Sequence, residues 1–300
     1  MKRFKPLLWL AIAGMAAYLL MFLPAQVVHI EYADVYLKDL PQELDGTKLL
    51  YVSDIHISSA GDAAAMEKLM DRLQESQPDM LLLGGDYSDV RLWDQLRCLG
   101  NKDKLTTLKQ NAYSLSHEWL KSLADFNAPM GKFAVQGNHD ASDLFLSMAM
   151  EQGGVRLLMN SSAAADKNGA RLVIAGVGDY THGTYEPYLT AENVQAGDCC
   201  ILLSHNPDAL PQMFTIDAAD GGGWIDLALS GHTHGGQVRF GNFVPITNSN
   251  YGLNYLTGWH EHLSGHSLTS NGVGTTALPI RFGAPAQVHI IILHRSLPVE

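Results

Sequence analysis

The sequence predicts an α/β domain that follows one N-terminal membrane-spanning helix. Short apolar runs typical of buried strands alternate with segments whose apolar residues recur at helical spacing, which is the pattern of sheets covered by helices. Ahead of them, the segment from Leu7 to Val28 carries no charged residue. As a helix it would be about 33 Å long, which is close to the thickness of the hydrocarbon core of a bilayer.

The flanks of this N-terminal segment predict its orientation. Acidic residues, Glu31 and Asp34, follow it, and the basic residues that precede it are Lys2, Arg3 and Lys5. Because Lys and Arg are enriched on cytoplasmic flanks, we expect a single-pass protein of the cell membrane whose remaining chain lies on the outer face.

A cleaved signal peptide is the alternative interpretation of the same segment. Against it, the apolar run is longer than a usual signal core, and the stretch around Pro24 and Ala25 has no clear small-x-small cleavage site. Residues 1–28 are therefore interpreted as a membrane anchor or a signal peptide. The rest of the chain has no repeat, low-complexity tract or long linker, so residues 29–300 are expected to form one domain.

Composition limits the classes of partner. The formal net charge of -11 argues against binding to nucleic-acid duplexes, because such proteins need a basic face to displace counterions. An acidic chain can still bind an anionic phosphate through bound cations. The three cysteines, Cys98, Cys199 and Cys200, lack metal-ligand spacing and are expected to be small core residues. The oligomeric state is left open.

Seven apolar runs predict buried strands, with helical segments between them at Ala63–Ser76 and near Leu115–Leu123. The predicted strands are Lys48–Val52, Met80–Leu83, Lys132–Val135, Leu172–Ala175, Cys199–Leu203, Ile225–Leu229 and Val288–Leu293. Two longer stretches are interpreted as loops that either border a binding site or are surface elaborations. They are Asp89–Ser114, which shows no clear period, and Val238–Asn271, which is polar and contains aromatic residues.

Five of the predicted strands end just before residues that can bind a metal ion. In α/β sheets the ligand crevice lies outside the carboxyl ends of the strands, so these strand exits are expected to converge. The polar residues after the strands are, in chain order, Asp54 and His56; Asp86; Asn138, His139 and Asp140; His205; and His232 and His234.

This set of residue types favours borderline divalent cations. Carboxylate, imidazole and amide ligands together suit Mn, Fe, Zn or Co better than Ca or a thiolate site. Residues two apart in an extended strand exit point to the same side, so Asp54 with His56, and His232 with His234, can each aim two ligands at one cluster. A single Asp or His after a strand is usually a turn residue, and it is the joint pattern that predicts a metal centre.

The five blocks, D-x-H, G-D, G-N-H-D, a later lone His and G-H-x-H, resemble the pattern of the calcineurin-like metallophosphoesterase family, in family order from Lys48 to His234. The resemblance implies two packed mixed β-sheets flanked by helices, and a metal-dependent phosphoesterase. The stretch from Gly274 to Phe282 also resembles the membrane-linked bacterial branch, which includes phosphodiesterases and UDP-diacylglucosamine hydrolases.

The resemblance further implies a role for each site residue. Asp54, His56 and His234 would bind one metal ion, and Asn138, His205 and His232 the other. Asp86 would bridge the two ions, which are expected to be Mn, Fe or Zn. His139 is similar to a residue that faces the substrate and either stabilises the phosphoryl charge or protonates the leaving oxygen. Asp140 could orient the His139 ring.

Two dications held together can stabilise both the attacking and the leaving oxygen of an in-line displacement at phosphorus. We therefore expect hydrolysis of a phosphoester, with a phosphodiester or pyrophosphate favoured, on a membrane-associated or lipid-linked substrate. The alternatives are a tethered hydrolase of soluble nucleotide or sugar phosphates and a non-catalytic metal-binding surface protein.

Several further aromatic and polar residues lie outside these blocks. Tyr251, Tyr255 and Trp259 are spaced about one helical turn apart, which suggests an apolar ridge that holds lipid or covers core. Asp179 is expected to form a turn. Ordinary surface or core roles are expected for the remaining histidines, which are His29, His117, His182, His260, His262, His266, His289 and His294.

Overall fold

The structure, a computed structural model, describes residues 4–183, 185–251 and 253–296. Two six-stranded mixed β-sheets pack face to face and carry helices on their outer faces, which confirms the predicted fold class. The first sheet contains β1 (Val28–Leu37), β2 (Lys48–Val52), β3 (Met80–Leu83), β4 (Lys132–Ala134), β5 (Arg156–Leu157) and β12 (Ala286–Arg295). The second contains β6 (Ser161–Lys167), β7 (Ala170–Gly176), β8 (Cys200–Leu203), β9 (Leu227–Ser230), β10 (Gly258–Glu261) and β11 (His266–Thr269).

The strand order in the first sheet is β1-β12-β2-β3-β4-β5, and in the second β10-β11-β9-β8-β7-β6. Strands β2, β3 and β4 run parallel to one another, and so do β7, β8 and β9. The helices are α1 (Phe4–Ala17), α2 (Ala60–Gln74), α3 (Leu92–Arg97), α4 (Lys102–Ser122), α5 (Leu146–Gln152), α6 (Pro187–Ala191) and α7 (Leu210–Met213). Parallel strands place several carboxyl ends at the same edge of each sheet, which positions the site described below.

The central strands are apolar on both faces because both faces are covered. In β2, Leu49 and Tyr51 belong to the core between the two sheets, whereas Leu50 and Val52 pack under the helices of the first sheet. Successive side chains of a strand point to opposite faces, so a strand covered on both sides appears as a continuous apolar run. This is why the predicted central strands agree with the structure to within a few residues.

Helix α2 begins at a side-chain cap. The hydroxyl of Ser59 accepts a hydrogen bond from the backbone N–H of Asp62 at 3.2 Å, which satisfies one of the unpaired donors of the first turn. Met66, Leu69 and Leu73 then pack on the first sheet. The helix begins earlier than the apolar pattern predicted, because its first turn is held by the cap and carries little apolar surface, and it ends at Gln74.

The prediction that residues 89–114 form an irregular loop is wrong. Most of this stretch is helical, in α3 and in the first half of α4. Asn101 caps α4 by accepting from the N–H of Lys104 at 3.0 Å, but buried residues in α4 begin only at Ala112. The exposed first turns therefore have no apolar period. The apolar pattern predicts only the second half of the helix, which contains Trp119 and packs on the domain.

The interpretation of residues 251–259 as a helical ridge is also wrong. The described residues there form turns and bends, and Trp259 lies on strand β10. Tyr251 and Tyr255 contact each other edge to face, with ring centroids 6.1 Å apart. The side chains of Tyr251 and Trp259 are each 42% exposed. Their spacing of four residues reflects a turn followed by a strand.

The N-terminal segment projects from the domain. The 18 residues Trp9–Gln26 have a mean hydropathy of 1.5 and none of them is buried, so the segment is long and apolar enough to cross a membrane. Strand β1 begins directly at Val28 and pairs in parallel with β12 over its whole length. At the end of the segment, the backbone N–H of Arg281 donates to the carbonyl of Met21 at 2.9 Å. The segment is therefore attached to the domain by backbone contacts on both sides of its last turn.

Candidate metal centre

The loops that follow the five predicted strands converge where the carboxyl ends of strands from the two sheets meet. All seven predicted metal ligands lie close together there, and six of them are buried. The buried six are Asp54, His56, Asp86, His205, His232 and His234.

The first group of ligands is Asp54, His56 and His234, which can offer their ligand atoms within 4.8 Å of one another. The Nε2 atoms of His56 and His234 are 3.1 Å apart, and Nε2 of His234 is 3.7 Å from Oδ1 of Asp54. Three donor atoms from the exits of β2 and β9 therefore point at one place.

The second group combines Asp86, His205 and His232 with the amide of Asn138. Oδ1 of Asn138 lies 2.8 Å from Nδ1 of His232 and 3.2 Å from Nε2 of His205. Nδ1 of His205 lies 2.8 Å from the carbonyl oxygen of Gly84, to which it can donate. Such a hydrogen bond fixes the ring and leaves Nε2 facing the cluster, as is usual for metal-binding histidines.

Asp86 lies between the two groups. Its Oδ2 is 3.5 Å from Nε2 of His56 and 3.3 Å from Nε2 of His205, so one oxygen reaches a ligand of each group. Its Oδ1 accepts a hydrogen bond from the backbone N–H of His139 at 2.9 Å. The carboxylate is thus positioned to bridge two sites.

The backbone is strained at these ligands. Non-glycine residues with positive φ are uncommon, and such strain concentrates at functional sites. Five of the ten such residues in the described chain are predicted ligands: Asp54 (φ 52°), His56 (φ 50°), Asp86 (φ 57°), His232 (φ 67°) and His234 (φ 53°). The surrounding sheets must therefore hold these residues in place against their local preference.

Glycines permit the close approach of the loops. A Cβ on Gly137 would overlap Oδ1 of Asp86, and a Cβ on Gly85, which has φ 94°, would lie 2.7 Å from the backbone nitrogen of Gly137. Any side chain at either position would push Asp86 away from the loop that carries Asn138. The glycines of the G-D and G-N-H-D blocks therefore set the distance between the two groups of ligands.

The electrostatics of the centre favour a cation. Burial alone lowers the pKa of His205, but the neighbouring Asp86 carboxylate outweighs it and raises that pKa to about 10. Burial alone would raise the pKa of Asp86, yet the adjacent His205 holds it well below its usual value. Desolvation lowers the pKa of both His56 and His232 to about 4, which keeps those imidazoles neutral and able to donate a lone pair.

The donor set fits two divalent metal ions. Oδ2 of Asp54 is buried without a hydrogen-bond partner in the described part of the chain. Buried polar atoms are rarely left unpaired unless an ion or water completes them. Carboxylates, imidazoles and one amide oxygen are ligands for borderline divalent cations. The unpaired Asp54 oxygen and the donor chemistry therefore both agree with a metal centre.

Asp140 is expected from the sequence to orient the His139 ring, but the hydrogen bonds that its carboxylate accepts come from backbone groups. Its carboxylate accepts hydrogen bonds from the backbone N–H groups of Asp86 at 2.7 Å, Tyr87 at 3.0 Å and Gly137 at 2.9 Å. It therefore ties the exit of β3 to the exit of β4. Burial, with the nearby Asp86 charge, raises the pKa of Asp140 to about 7.

Asp89 holds His139 instead. Oδ1 of Asp89 lies 3.1 Å from Nδ1 of His139, and Oδ2 lies 3.8 Å from Nδ1 of His56. Burial alone would lower the pKa of His139, but the hydrogen bond to Asp89 and the charge of Asp86 raise it to about 9. Sequence reasoning missed Asp89, because an Asp three residues after Asp86 looks like any other turn residue.

His139 faces an open cavity of about 340 Å³. Its side chain is 31% exposed, and the cavity is also lined by Asp89, Asn138 and His182. Helix α4 forms a wall with Lys109 and Tyr113. Part of the stretch 89–114 therefore borders the site, although as a helix.

Arg281 supports the His234 loop from beneath and is fully buried. Its guanidinium donates to the carbonyls of Asn271 at 2.8 Å, Gly272 at 3.2 Å and Ala284 at 3.1 Å, and reaches that of His234 at 3.4 Å. Burial lowers the pKa of Arg281 to about 10, so it stays charged at neutral pH. The stretch from Gly274 to Phe282 resembles the membrane-linked branch of the family, but the sequence predicts no role for Arg281 itself.

Comparison with known proteins agrees with the fold and with a metal-dependent activity. Residues 47–236 match the calcineurin-like phosphoesterase family, so the chain belongs to that family. Members of this family use a dinuclear metal site, and the chain is a metal-dependent phosphoester hydrolase.

Three of the relatives bear metallophosphoesterase or phosphodiesterase names. The chain is 29% identical over 259 residues to the uncharacterized metallophosphoesterase YkuE of Bacillus subtilis (strain 168), which covers 85% of this chain and 81% of that protein. It is 28% identical over 237 residues to the phosphodiesterase YaeI of Escherichia coli (strain K12), with 76% and 75% covered. A transmembrane protein with metallophosphoesterase domain from Danio rerio is 24% identical over 290 residues, which is 91% of this chain and 58% of that protein.

Replacing Gly137 with Ala is expected to separate the two groups of ligands, because the added Cβ would displace Asp86. We expect metal affinity to fall about ten- to hundredfold. Metal content after dialysis, measured by plasma mass spectrometry, tests this. Gly197→Ala is the matched control, since a Cβ there meets nothing within 4 Å. Equal metal content in the two variants would contradict the role given to Gly137.

Proposed function

We propose that the chain uses two divalent ions, of Mn, Fe or Zn, to hydrolyse a phosphodiester or pyrophosphate on a membrane-associated or lipid-linked substrate. Asp54, His56 and His234 would hold one ion, and Asp86 would bridge it to a second. The second ion would be held by Asn138, His205 and His232. The observation that carries the proposal is that Oδ2 of Asp86 lies within 3.5 Å of a histidine from each group.

When bound, two such ions activate water and neutralise the charge that develops on the phosphate oxygens. The residues of the chain would donate the proton, position the loops and stabilise the remaining charge. His139 opens into the cavity and can donate a proton to the leaving oxygen, and Asp89 orients its ring. Asp140 is proposed as a positioning residue that fixes the loop of Asp86. Lys109 faces the same cavity as a cation for the remaining phosphate charge.

The N-terminal segment supports a substrate at the membrane. Trp9–Gln26 is exposed and apolar, and strand β1 starts two residues after it, so a crossing helix would hold the domain against the bilayer. The basic residues Lys2, Arg3 and Lys5 favour the outer face for the domain. One relative is itself named a transmembrane protein.

Turnover of a chromogenic phosphodiester and the matching monoester tests the metal centre. We expect hydrolysis only with added Mn or Zn, and a fall of about a thousandfold or more in Asp86→Asn because the bridge loses its charge. His139→Ala should lose about a hundredfold or more. His294→Gln, on the far end of β12, should keep full activity. Unchanged turnover in Asp86→Asn would contradict the proposal that Asp86 bridges two metal ions.

Substrates whose leaving groups differ in pKa distinguish the two possible roles of His139, which are protonation of the leaving oxygen and stabilisation of the phosphoryl charge. An aryl alcohol with a low pKa leaves without a proton, whereas an alkyl alcohol needs one. His139→Ala and Asp89→Asn should therefore lose much more kcat on an alkyl diester than on a nitrophenyl diester. An equal loss on both substrates would show that His139 instead stabilises the phosphoryl charge.

The tether is tested by carbonate extraction of membranes. The full chain should remain in the pellet at its unshortened mass, whereas a chain beginning at Val27 should be soluble. The shortened chain should hydrolyse a soluble diester normally but a vesicle-embedded one poorly. A cleaved soluble product would favour the signal peptide, and equal turnover of the embedded substrate would favour a soluble nucleotide or sugar phosphate.

A further inference from the structure

A second cavity, of about 580 Å³, lies between the end of the N-terminal segment and helix α2. Phe22, Ala25 and Val28 form one wall, helix α2 forms another, and the stretch around Gly274 closes it. Its volume is within the range of small-ligand sites. The metal centre is served by the separate cavity at His139.

The α2 wall is cationic. Gly61, Ala65, Lys68 and Arg72 follow one another at helical spacing, so they form one face of the helix, and all four line the cavity. Within residues 4–183, 185–251 and 253–296, neither Lys68 nor Arg72 takes part in an ion pair. In a chain with a net charge of -11, two unpaired cations side by side favour an anionic ligand.

The third cation of this cavity is already neutralised. Arg91 contacts the Asp62 carboxylate at 2.7 Å, so both groups contribute little net charge. The positive field of the cavity therefore comes from Lys68 and Arg72, which are exposed on the helix surface.

The wall opposite the cations is apolar and continues the membrane-spanning segment. Phe22 and Ala25 lie within the last turns of Trp9–Gln26. In a bilayer these residues sit where hydrocarbon gives way to headgroups, and this is also the level of the phosphates. The cavity thus offers cations at headgroup depth beside an apolar surface that leads into the hydrocarbon.

An occupant of this cavity is separated from the reacting atoms. Ile55 and His56 form its floor, but the His56 side chain is completely buried, so only the backbone of His56 is reached from this side. The cavity therefore does not suit the molecule that is hydrolysed.

We propose that this cavity binds an anionic glycerophospholipid of the surrounding bilayer, which is held but not cleaved. Lys68 and Arg72 contact its phosphate, and an acyl chain lies along Phe22 and Ala25. The lipid fills the space between anchor and domain and so fixes the angle of the domain to the membrane. This inference rests on the proposed membrane tether.

The test titrates the full chain, purified in a zwitterionic detergent, with dihexanoyl phosphatidylglycerol and separately with dihexanoyl phosphatidylcholine. Binding is followed by native mass spectrometry and by the rise in Tm. We expect the anionic lipid to bind more tightly. Lys68→Gln/Arg72→Gln should weaken that binding on the order of twentyfold, since each cation near an anionic headgroup contributes a factor of about five. Lys102→Gln/Lys104→Gln, exposed on α4, is the matched control.

Two substitutions by Trp test the lipid site by steric blocking, without any change of charge. Ala65 lines the cavity and its exposed neighbour Ala64 does not, so Ala65→Trp should abolish binding and Ala64→Trp should leave it unchanged. Equal binding of both lipids, full binding in Ala65→Trp, or equally tight binding of inorganic phosphate alone would each overturn the proposal.

Failure of this proposal is distinguishable from failure of the proposed function. All four variants should hydrolyse the soluble diester like the wild type, because none alters the metal centre. A missing metal-dependent turnover with lipid binding intact would reject the hydrolase assignment of the site alone. Loss of the full chain from carbonate-washed membranes would reject the tether, on which the lipid site depends.

Discussion

The position of the Asp86 carboxylate is the constraint on which the rest of the centre depends. One oxygen must reach both His56 and His205, at 3.5 and 3.3 Å. That is possible only because Gly137 has no side chain and because the Asp140 carboxylate holds the backbone of Asp86 at 2.7 Å. A single contact network thus places ligands from both sheets around one point, and it uses residues that are not themselves ligands.

The fold stabilises the strain that this arrangement requires. Asp54 and His234 are among five ligands with positive φ, which L-residues adopt at a cost. Each follows a strand whose residues are buried on both faces, so the strand ends cannot relax without disturbing the packed core. The rigid sheets therefore hold donor atoms close together before any ion binds, and an ion would offset the repulsion and the unpaired atoms that remain.

Two sequence signals coincide at this candidate centre, namely continuous apolar strands and short blocks of potential ligands directly after them. Strands such as β2 and β3 are apolar on both faces, and the ligands follow them in fixed short blocks. Edge strands lack the first signal: β1 alternates exposed and half-buried residues and pairs with β12, which is distant in sequence. Asp89 lacks the second signal, because only the fold brings it to His139. Pairing partners and side-chain contacts of this kind depend on tertiary structure and are absent from local pattern.

The apolar N-terminal segment and the candidate metal centre are connected by Arg281. Its backbone N–H binds the carbonyl of Met21 at 2.9 Å, while its buried guanidinium donates to Asn271 and Gly272 beneath the His234 loop. A buried charged group that satisfies several carbonyls is costly to displace, because each acceptor would be left unpaired in a dry environment. The apolar segment is thus bonded, through Met21, to the same residue that supports a proposed metal ligand. Arg281 therefore links the apolar segment, through its backbone, to the loop that carries His234, through its side chain.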